Sequence, residues 1–200
     1  MRTFLINLGS SALISLLLIL PFMIMEVVNR RNYDEDFPVM LFFAMWFNLF
    51  AFILILLPIV RSWWAAKHDP ADPFEEQRSS LLTNPRSSAL ISIALILIPG
   101  ILPLLGSLGW LSLDRLINGP NPEQLYIPSL VISLGIISLS VAAGVIASLP
   151  IARTVRVGGR LFAHPINLII VVFLLSTFAF GFASFIIDQW PCFIGVPVCD

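Results

Sequence analysis

Charged side chains are scarce in this sequence. Asp, Glu, Lys and Arg together make up 12% of its 200 residues, whereas a soluble domain carries roughly 25%. This number of charged side chains is too small to cover a water-exposed surface, which excludes a soluble globular protein. The formal net charge of −1 also excludes a strongly basic nucleic-acid-binding protein, and the basic residues do not cluster as such a protein requires.

Histidine is rare as well, and this limits metal and pigment chemistry. His68 and His164 are the two histidines, and no His/Cys/Asp cluster has the spacing of a metal site. Both lie at predicted helix edges, whereas haem and chlorophyll in membranes are usually bound by His within a span. We expect no metal, no cofactor and no catalytic residue. For His164, contact with phosphate headgroups is favoured over a metal or pigment ligand.

The two cysteines lie together at the end of the chain. Six residues separate Cys192 from Cys199, and Gly195 and Pro197 between them can reverse the chain. This spacing predicts a disulfide-closed loop, and disulfides persist in oxidising compartments. Free thiols and a thiol-exchange site are the alternatives. Exchange enzymes usually use Cys-x-x-Cys and a second pair that passes electrons on.

Apolar residues, by contrast, are abundant and occur in long runs. A membrane helix needs about 20 mainly apolar residues, and five runs qualify: residues 3–25, 39–59, 87–111, 129–149 and 166–187. The sequence predicts an all-α, polytopic membrane helix bundle of five spans in a single domain of residues 1–200. The first run is too long for a signal-peptide core, so we interpret it as an uncleaved anchor. Residues 188–200 are predicted to form an external loop.

The distribution of Lys and Arg predicts the orientation of these spans. In a five-span chain, the N-terminus and the second and fourth loops share one side, and they carry all the basic residues except Arg30, Arg31 and Arg115. Basic loops stay in the cytoplasm. We therefore expect a cytoplasmic N-terminus and an external C-terminus, which places Cys192 and Cys199 in an oxidising compartment.

The second and fourth spans resemble each other in sequence. One closes on Leu57-Pro-Ile-Val-Arg61-Ser62 and the other on Leu149-Pro-Ile-Ala-Arg153-Thr154. Each is followed by a basic loop and then by Asn84-Pro85 or His164-Pro165. Asn is a good helix N-cap and Pro is favoured at the first helical position. The pattern predicts one leading helix followed by two tandem hairpins, with chance matching as the alternative.

Several residues within the spans are candidates for helix packing or for a transport site. Pro99, Gly100 and Pro103 predict a kink or break in the third span, and broken helices line transport sites. The fourth span carries a small-residue face that lets another helix, from this chain or another protein, approach closely. That face consists of Ser140, Gly144 and Ser148. In the second span, Asn48 is predicted to make an interhelical hydrogen bond.

Ionisable residues lie near the predicted external ends of the spans. We expect Asp188 to pair with Arg30, Arg31 or Arg115 across the external surface, which would connect the tail to the first loop. A proton or ion site at Asp188 or Glu26 is the alternative.

Several phrases resemble those of a group of small bacterial integral membrane proteins. They are Leu20-Pro21-Phe22 leading to Glu26 and Asn29-Arg30, Phe37-Pro38, Pro165-Ile-Asn-Leu-Ile169, and the ending Ile187-Asp-Gln-Trp-Pro-Cys-Phe-Ile-Gly-Val-Pro197 with Cys199-Asp200. This chain departs from the group by an extra pair of spans, the third and fourth, and by His164 in place of Asn. The resemblance implies a bacterial cell membrane and an external C-terminal loop, and it implies no activity.

These features together favour a non-catalytic accessory or scaffold subunit of a larger membrane complex. Its expected partners are the lipid bilayer and other membrane subunits, with a respiratory or photosynthetic complex as one such host. A small transporter or channel that uses the third span is the first alternative. A membrane enzyme acting on thiols, quinones or lipids is the second, and its thiol version requires Cys192 and Cys199 to cycle between redox states.

Overall fold

The described part of the chain is almost entirely helical. A computed structural model describes residues 2–29, 38–68, 82, 84–107 and 127–195, with side chains described over 5–29, 38–68, 82, 84–98, 101 and 134–195. The elements are α1 (Arg2–Asn29), α2 (Val39–His68), α3 (Pro85–Ser107), α4 (Ile127–Arg156), a 3₁₀ turn (Leu161–Ala163) and α5 (Pro165–Phe193). No strand occurs in these ranges. The predicted all-α class is confirmed.

Most of these helices have the length and composition of membrane spans. Four stretches qualify: Leu5–Asn29, Val39–His68, Leu134–Arg156 and Pro165–Phe193. In α3, the apolar stretch over the described residues is Pro85–Ile98, which is shorter than a span. Four of the five predicted spans therefore correspond to helices of spanning length, and the third is helical as far as Ser107.

Prolines open helices as the sequence predicts. Pro85 is the first residue of α3, and Pro165 is the first residue of α5. The side-chain Oδ1 of Asn84 accepts a hydrogen bond from the backbone N–H of Arg86 at 3.2 Å. This contact satisfies one of the N–H groups that a helix start leaves without an intrahelical partner. The predicted N-cap role of Asn84 is confirmed.

Pro58 and Pro150 lie inside helices that extend beyond the predicted spans. Helices α2 and α4, each of 30 residues, continue past Pro58 and Pro150 to His68 and Arg156. A proline deprives only the carbonyl four residues earlier of its N–H donor. The other backbone groups keep their helical partners, which an apolar environment favours strongly.

Two consecutive glycines end α4. Gly158 has φ of +78°, the left-handed conformation that side chains disfavour. Its N–H bonds to the carbonyl of Val155 at 3.0 Å, and the N–H of Gly159 bonds to the carbonyl of Thr154 at 2.8 Å. This is the Schellman arrangement. A Cβ at Gly159 would lie 2.8 Å from the Thr154 carbonyl oxygen, so both positions require glycine.

The chain divides into two compact units. The terminal unit comprises Met1–Pro58 with Val172–Asp200, and the central unit comprises Ile59–Val171. Within the terminal unit, the core contains one residue of α1, two of α2 and one of α5: Ile19, Phe42, Met45 and Phe193. Helices that are distant in sequence thus share one apolar core.

One face of α1 is buried in the terminal unit. Ser11, Ser15 and Ile19 recur at four-residue spacing and are all buried. The indole N–H of Trp46, in α2, donates to the carbonyl of Ala12 at 3.3 Å. Small hydroxyl side chains on α1 allow close approach of a neighbouring helix, and the Trp46 contact shows that α2 lies against this part of α1.

Candidate functional site

A buried polar joint connects the start of α3 to the start of α5 in the central unit. Asn167 is 1% exposed, and its Nδ2 donates to the carbonyl oxygen of Pro85 at 3.0 Å. The hydroxyl of Ser88, also buried, donates to Asn167 Oδ1 at 3.2 Å and lies 3.1 Å from the Pro85 carbonyl. Both functions of the amide are therefore satisfied, as a buried polar group requires. We call Pro85, Ser88 and Asn167 the polar joint.

A second buried hydrogen bond connects α3 to α4. The hydroxyl of Ser92 donates to the carbonyl oxygen of Ala143 at 2.9 Å. Of the predicted small-residue face, Gly144 and Ser148 are buried and Ser140 is half-buried. Neighbouring Ala143 and Ala147 have no exposed surface. Small side chains let α3 and α4 approach closely enough for a hydroxyl to reach a backbone carbonyl.

Another set of small residues on α4 lies at the surface of the central unit. Gly135, Ser138 and Ala142 are exposed and recur at the three- and four-residue spacing of one helix face. A Cβ added at Gly135 would meet nothing within 4 Å. The Ser138 hydroxyl bonds to the carbonyl of Leu134 in its own helix, which satisfies it without a partner from elsewhere. We call these three residues the outer face of α4.

Asn48 makes a different hydrogen bond from the one predicted. Its Nδ2 donates to the carbonyl oxygen of Ala44 at 2.8 Å, within α2 itself. The side chain nevertheless lies between helices, because a Cβ at Gly181 of α5 would be only 2.7 Å from Asn48 Oδ1. The expected interhelical hydrogen bond is replaced by a close van der Waals approach. The side-chain N–H thus bonds within its own helix, as polar side chains in helices often do.

Helix α5 extends further towards the C-terminus than predicted. Helix α5 continues past Ile187 to Phe193, so the predicted loop 188–200 begins as helix. Phe193 is fully buried, and its carbonyl accepts a hydrogen bond from Asn29 Nδ2. Gly195, with φ of +77°, ends the helix. Burial of Phe193 against α1 and α2 explains why α5 continues beyond the roughly 20 residues that a membrane span needs.

The predicted disulfide and ion pairs fall partly outside the described residues. Cys192 is half-buried in the last turn of α5, whereas Cys199 lies outside the described ranges, so the disulfide stays a prediction. Asp188 is exposed. Its expected partners, Arg30, Arg31 and Arg115, also lie outside the described ranges, and their pairing with Asp188 stays a prediction.

The third span shows no break over its described part. Helix α3 is continuous from Pro85 to Ser107, through Pro99, Gly100 and Pro103. The predicted break is therefore absent from this stretch, and the alternative, a kink at these residues, stays a prediction. Local helical continuity across proline is common in membrane helices, because neighbouring groups re-satisfy the freed carbonyl.

Each histidine contacts a residue that is close to it in sequence. His164 Nε2 lies 2.8 Å from the hydroxyl of Thr154, which connects the end of α4 to the start of α5. His68 Nδ1 lies 2.9 Å from the carbonyl of Trp64, and its ring stacks on that indole. Within the described ranges, no three His, Cys, Asp or Glu side chains form a group that could hold a metal ion.

The sequence interpretation missed three buried polar residues of the central unit. Ser88, Ser92 and Asn167 are each 0–1% exposed and each bonds to another helix. A signal was available, since each is a polar residue near the start of an otherwise apolar helix. The sequence does not predict which face of each helix is buried. A serine that bonds to its own helix backbone is also tolerated on a lipid-facing surface.

Over the residues that the structure describes, four helices of spanning length define an all-helical, polytopic membrane protein. Its extra-helical segments within the described ranges are short, and the polar joint and the Ser92 contact fix how α3 packs. No family model, no curated protein and no solved structure matches the chain.

Proposed function

We propose that this protein is a non-catalytic accessory subunit that packs laterally against other subunits in a membrane complex. The observation that supports this most directly is the outer face of α4. Its residues, Gly135, Ser138 and Ala142, are small and exposed at helical spacing, and such faces allow a partner helix to approach closely. The small residues at Ala143, Gly144 and Ala147 are buried within the chain, so α4 carries small side chains on more than one side.

The limited burial of the spans supports the same proposal. In each of the four helices of spanning length, between 17% and 39% of an apolar 18-residue window is buried within the chain, which leaves broad apolar surfaces for lipid or for other helices. Most exposed positions carry large side chains such as Phe180 and Ile169, which suit lipid chains. The small residues of the outer face of α4 leave a groove instead, into which a partner helix can pack closely.

The proposed setting is a bacterial cell membrane, with a cytoplasmic N-terminus and an external C-terminus. The asymmetry of basic residues supports this orientation, and the resemblance of the C-terminal phrase supports the bacterial membrane. The proposed host is a larger assembly, respiratory or photosynthetic complexes being examples.

Native separation of membrane complexes tests this proposal. The tagged protein is produced in its own host, solubilised gently and separated on a native gel, and comigrating subunits are identified by mass spectrometry. We expect stoichiometric comigration with other membrane proteins. Ala142→Phe, which fills the outer face, should abolish it.

Leu90→Phe is the matched control, because Leu90 is 69% exposed on α3 and already large. It should leave comigration intact, and both variants should run as single species on gel filtration. A wild-type chain that migrates alone or only with copies of itself would contradict the proposal. Equal comigration of both variants would exclude the outer face as the contact.

A further inference from the structure

Two contacts bring three arginines to one end of the central unit. Asn167 of α5 bonds to the Pro85 carbonyl, which is adjacent to Arg86. Three residues before Asn167, His164 bonds to Thr154 at the end of α4. The starts of α3 and α5 and the end of α4 therefore meet, and Arg86, Arg156 and Arg160 all emerge there. All three side chains are exposed.

Carboxylates are missing from the described part of this unit. No Asp or Glu occurs in 59–68, 82, 84–107 or 127–171. The acidic residues of the unit, Asp69, Asp72, Glu75, Glu76, Asp114 and Glu123, lie outside the described ranges. Over the described residues of this unit, the three guanidinium groups thus have no carboxylate as a neighbour. Positive groups that cluster at the end of a membrane span attract anionic headgroups.

Exposed apolar side chains lie directly beside these arginines. Phe162 is 78% exposed and Leu161 is 43% exposed, and both belong to the 3₁₀ turn that follows Arg160. An aromatic ring at the end of a span favours the depth of the membrane interface. Guanidinium groups next to such a ring are placed at the level of the lipid phosphates, where they donate several hydrogen bonds to one phosphate.

From this placement we infer that Arg86, Arg156, Arg160, Leu161 and Phe162 form a binding surface for anionic phospholipids. The arginines bind the headgroup phosphate, and Leu161 and Phe162 contact the upper part of the acyl chains. We call this set the arginine surface. The inference rests on the geometry of the central unit and is independent of the accessory role, since a lone membrane protein would bind lipid in the same way.

Lipid retention by the purified full-length protein tests the inference. Detergent micelles are doped with phosphatidylglycerol or with phosphatidylcholine of the same acyl chains, and bound lipids are counted by native mass spectrometry. We expect selective retention of phosphatidylglycerol. Neutralising the surface with Arg86→Gln, Arg156→Gln and Arg160→Gln should weaken it roughly fivefold per arginine. Retention should also fall as ionic strength rises, because salt screens exposed charges.

Matched variants separate charge from folding. The corresponding triple lysine variant keeps the charge and should retain the selectivity for phosphatidylglycerol, with weaker binding because lysine binds phosphate as a point charge. Phe162→Ala should reduce retention of both lipids. Phe180→Ala, at a side chain that is 77% exposed in α5, should leave the selectivity unchanged.

Several results would overturn the inference. Equal retention of phosphatidylglycerol and phosphatidylcholine by the wild type would show that the arginines are satisfied within the protein. Unchanged retention in the triple glutamine variant would place the lipid elsewhere. Complete competition by inorganic phosphate would indicate a soluble anion as the ligand. If the glutamine variant does not fold, the salt dependence of the wild-type protein tests the inference instead. Retention of phosphatidylglycerol that does not fall as ionic strength rises would contradict it.

Discussion

Asn167 donates a hydrogen bond to the carbonyl oxygen of Pro85, the first residue of a helix that begins 82 residues earlier. The same amide accepts a hydrogen bond from Ser88, one turn further along that helix. The side-chain N–H and carbonyl groups of Asn167 thus both connect α5 to the first turn of α3. Since a buried amide must find partners for both its N–H and its carbonyl group, this joint fixes the relative position of the two helix starts.

Asn167→Ala is expected to destabilise the protein by about 1–3 kcal/mol. Hydrogen bonds between membrane helices contribute about 0.6 kcal/mol on average, with a maximum near 1.7 kcal/mol, and the deletion also leaves a small cavity. The free energy of unfolding can be measured in mixed micelles by titration with a denaturing detergent, with tryptophan fluorescence as the signal. Thr177→Ala is the control, because Thr177 is exposed and bonds within its own helix. Equal effects of the two substitutions would refute the role of the joint.

Phe193 and Phe180 form a matched pair of aromatic residues on α5. Phe193 is fully buried, with its ring centroid 5.5 Å from that of Phe22, whereas Phe180 is 77% exposed. Phe193→Ala should cost about 3 kcal/mol, the range for loss of a buried aromatic side chain. Phe180→Ala should change the free energy of unfolding by less than about 0.5 kcal/mol. A small cost at Phe193 would show that the last turn of α5 does not dock on its neighbours.

The approach of Gly181 to Asn48 predicts a coupled pair of substitutions. Gly181→Ala places a Cβ 2.7 Å from Asn48 Oδ1, and the amide cannot move without straining its bond to the Ala44 carbonyl. We expect a loss of about 1–2 kcal/mol. Asn48→Ala in the same chain should recover most of it, which a double-mutant cycle measures as a coupling energy.

Gly135→Ala is the control for that cycle. Nothing lies within 4 Å of the Cβ it would add, and Ala is favoured over Gly in a helix by about 1 kcal/mol. The substitution should therefore leave stability unchanged or raise it. If Gly181→Ala behaves like Gly135→Ala, α2 and α5 do not approach at this point.

The cysteine pair is expected to be oxidised in the native protein. Alkylation by a maleimide should label the purified chain only after reduction, and Cys192→Ser should make Cys199 reactive without reduction. The cross-link should contribute about 2 kcal/mol for so short a loop. A membrane-impermeant maleimide, added to intact cells after reduction, reports the side of the membrane. Labelling without reduction would exclude the disulfide, and protection in intact but not in broken cells would reverse the orientation.

Much of the fold could be predicted because it depends on local properties of the chain. Apolar runs of about 20 residues predict membrane helices, and the first residues of α2, α3 and α5 follow from Pro38, Pro85 and Pro165. Helix ends were harder to predict. Pro58 and Pro150 resemble stops in sequence, yet their helices continue, since a proline removes only one backbone hydrogen bond. The end of α5 depends on Phe193, whose burial requires partners from α1 and α2.

The helical class, the long apolar runs and most helix starts follow from the sequence alone, because composition and capping act over a few neighbouring residues. The tertiary structure alone decided which polar residues are buried together. Asn48 and Asn167 are both asparagines in apolar helices, yet one bonds to its own helix and the other to residues 79 and 82 positions earlier. Which carbonyl an amide can reach depends on how the helices pack, and that packing is the sum of many weak contacts along whole helix faces.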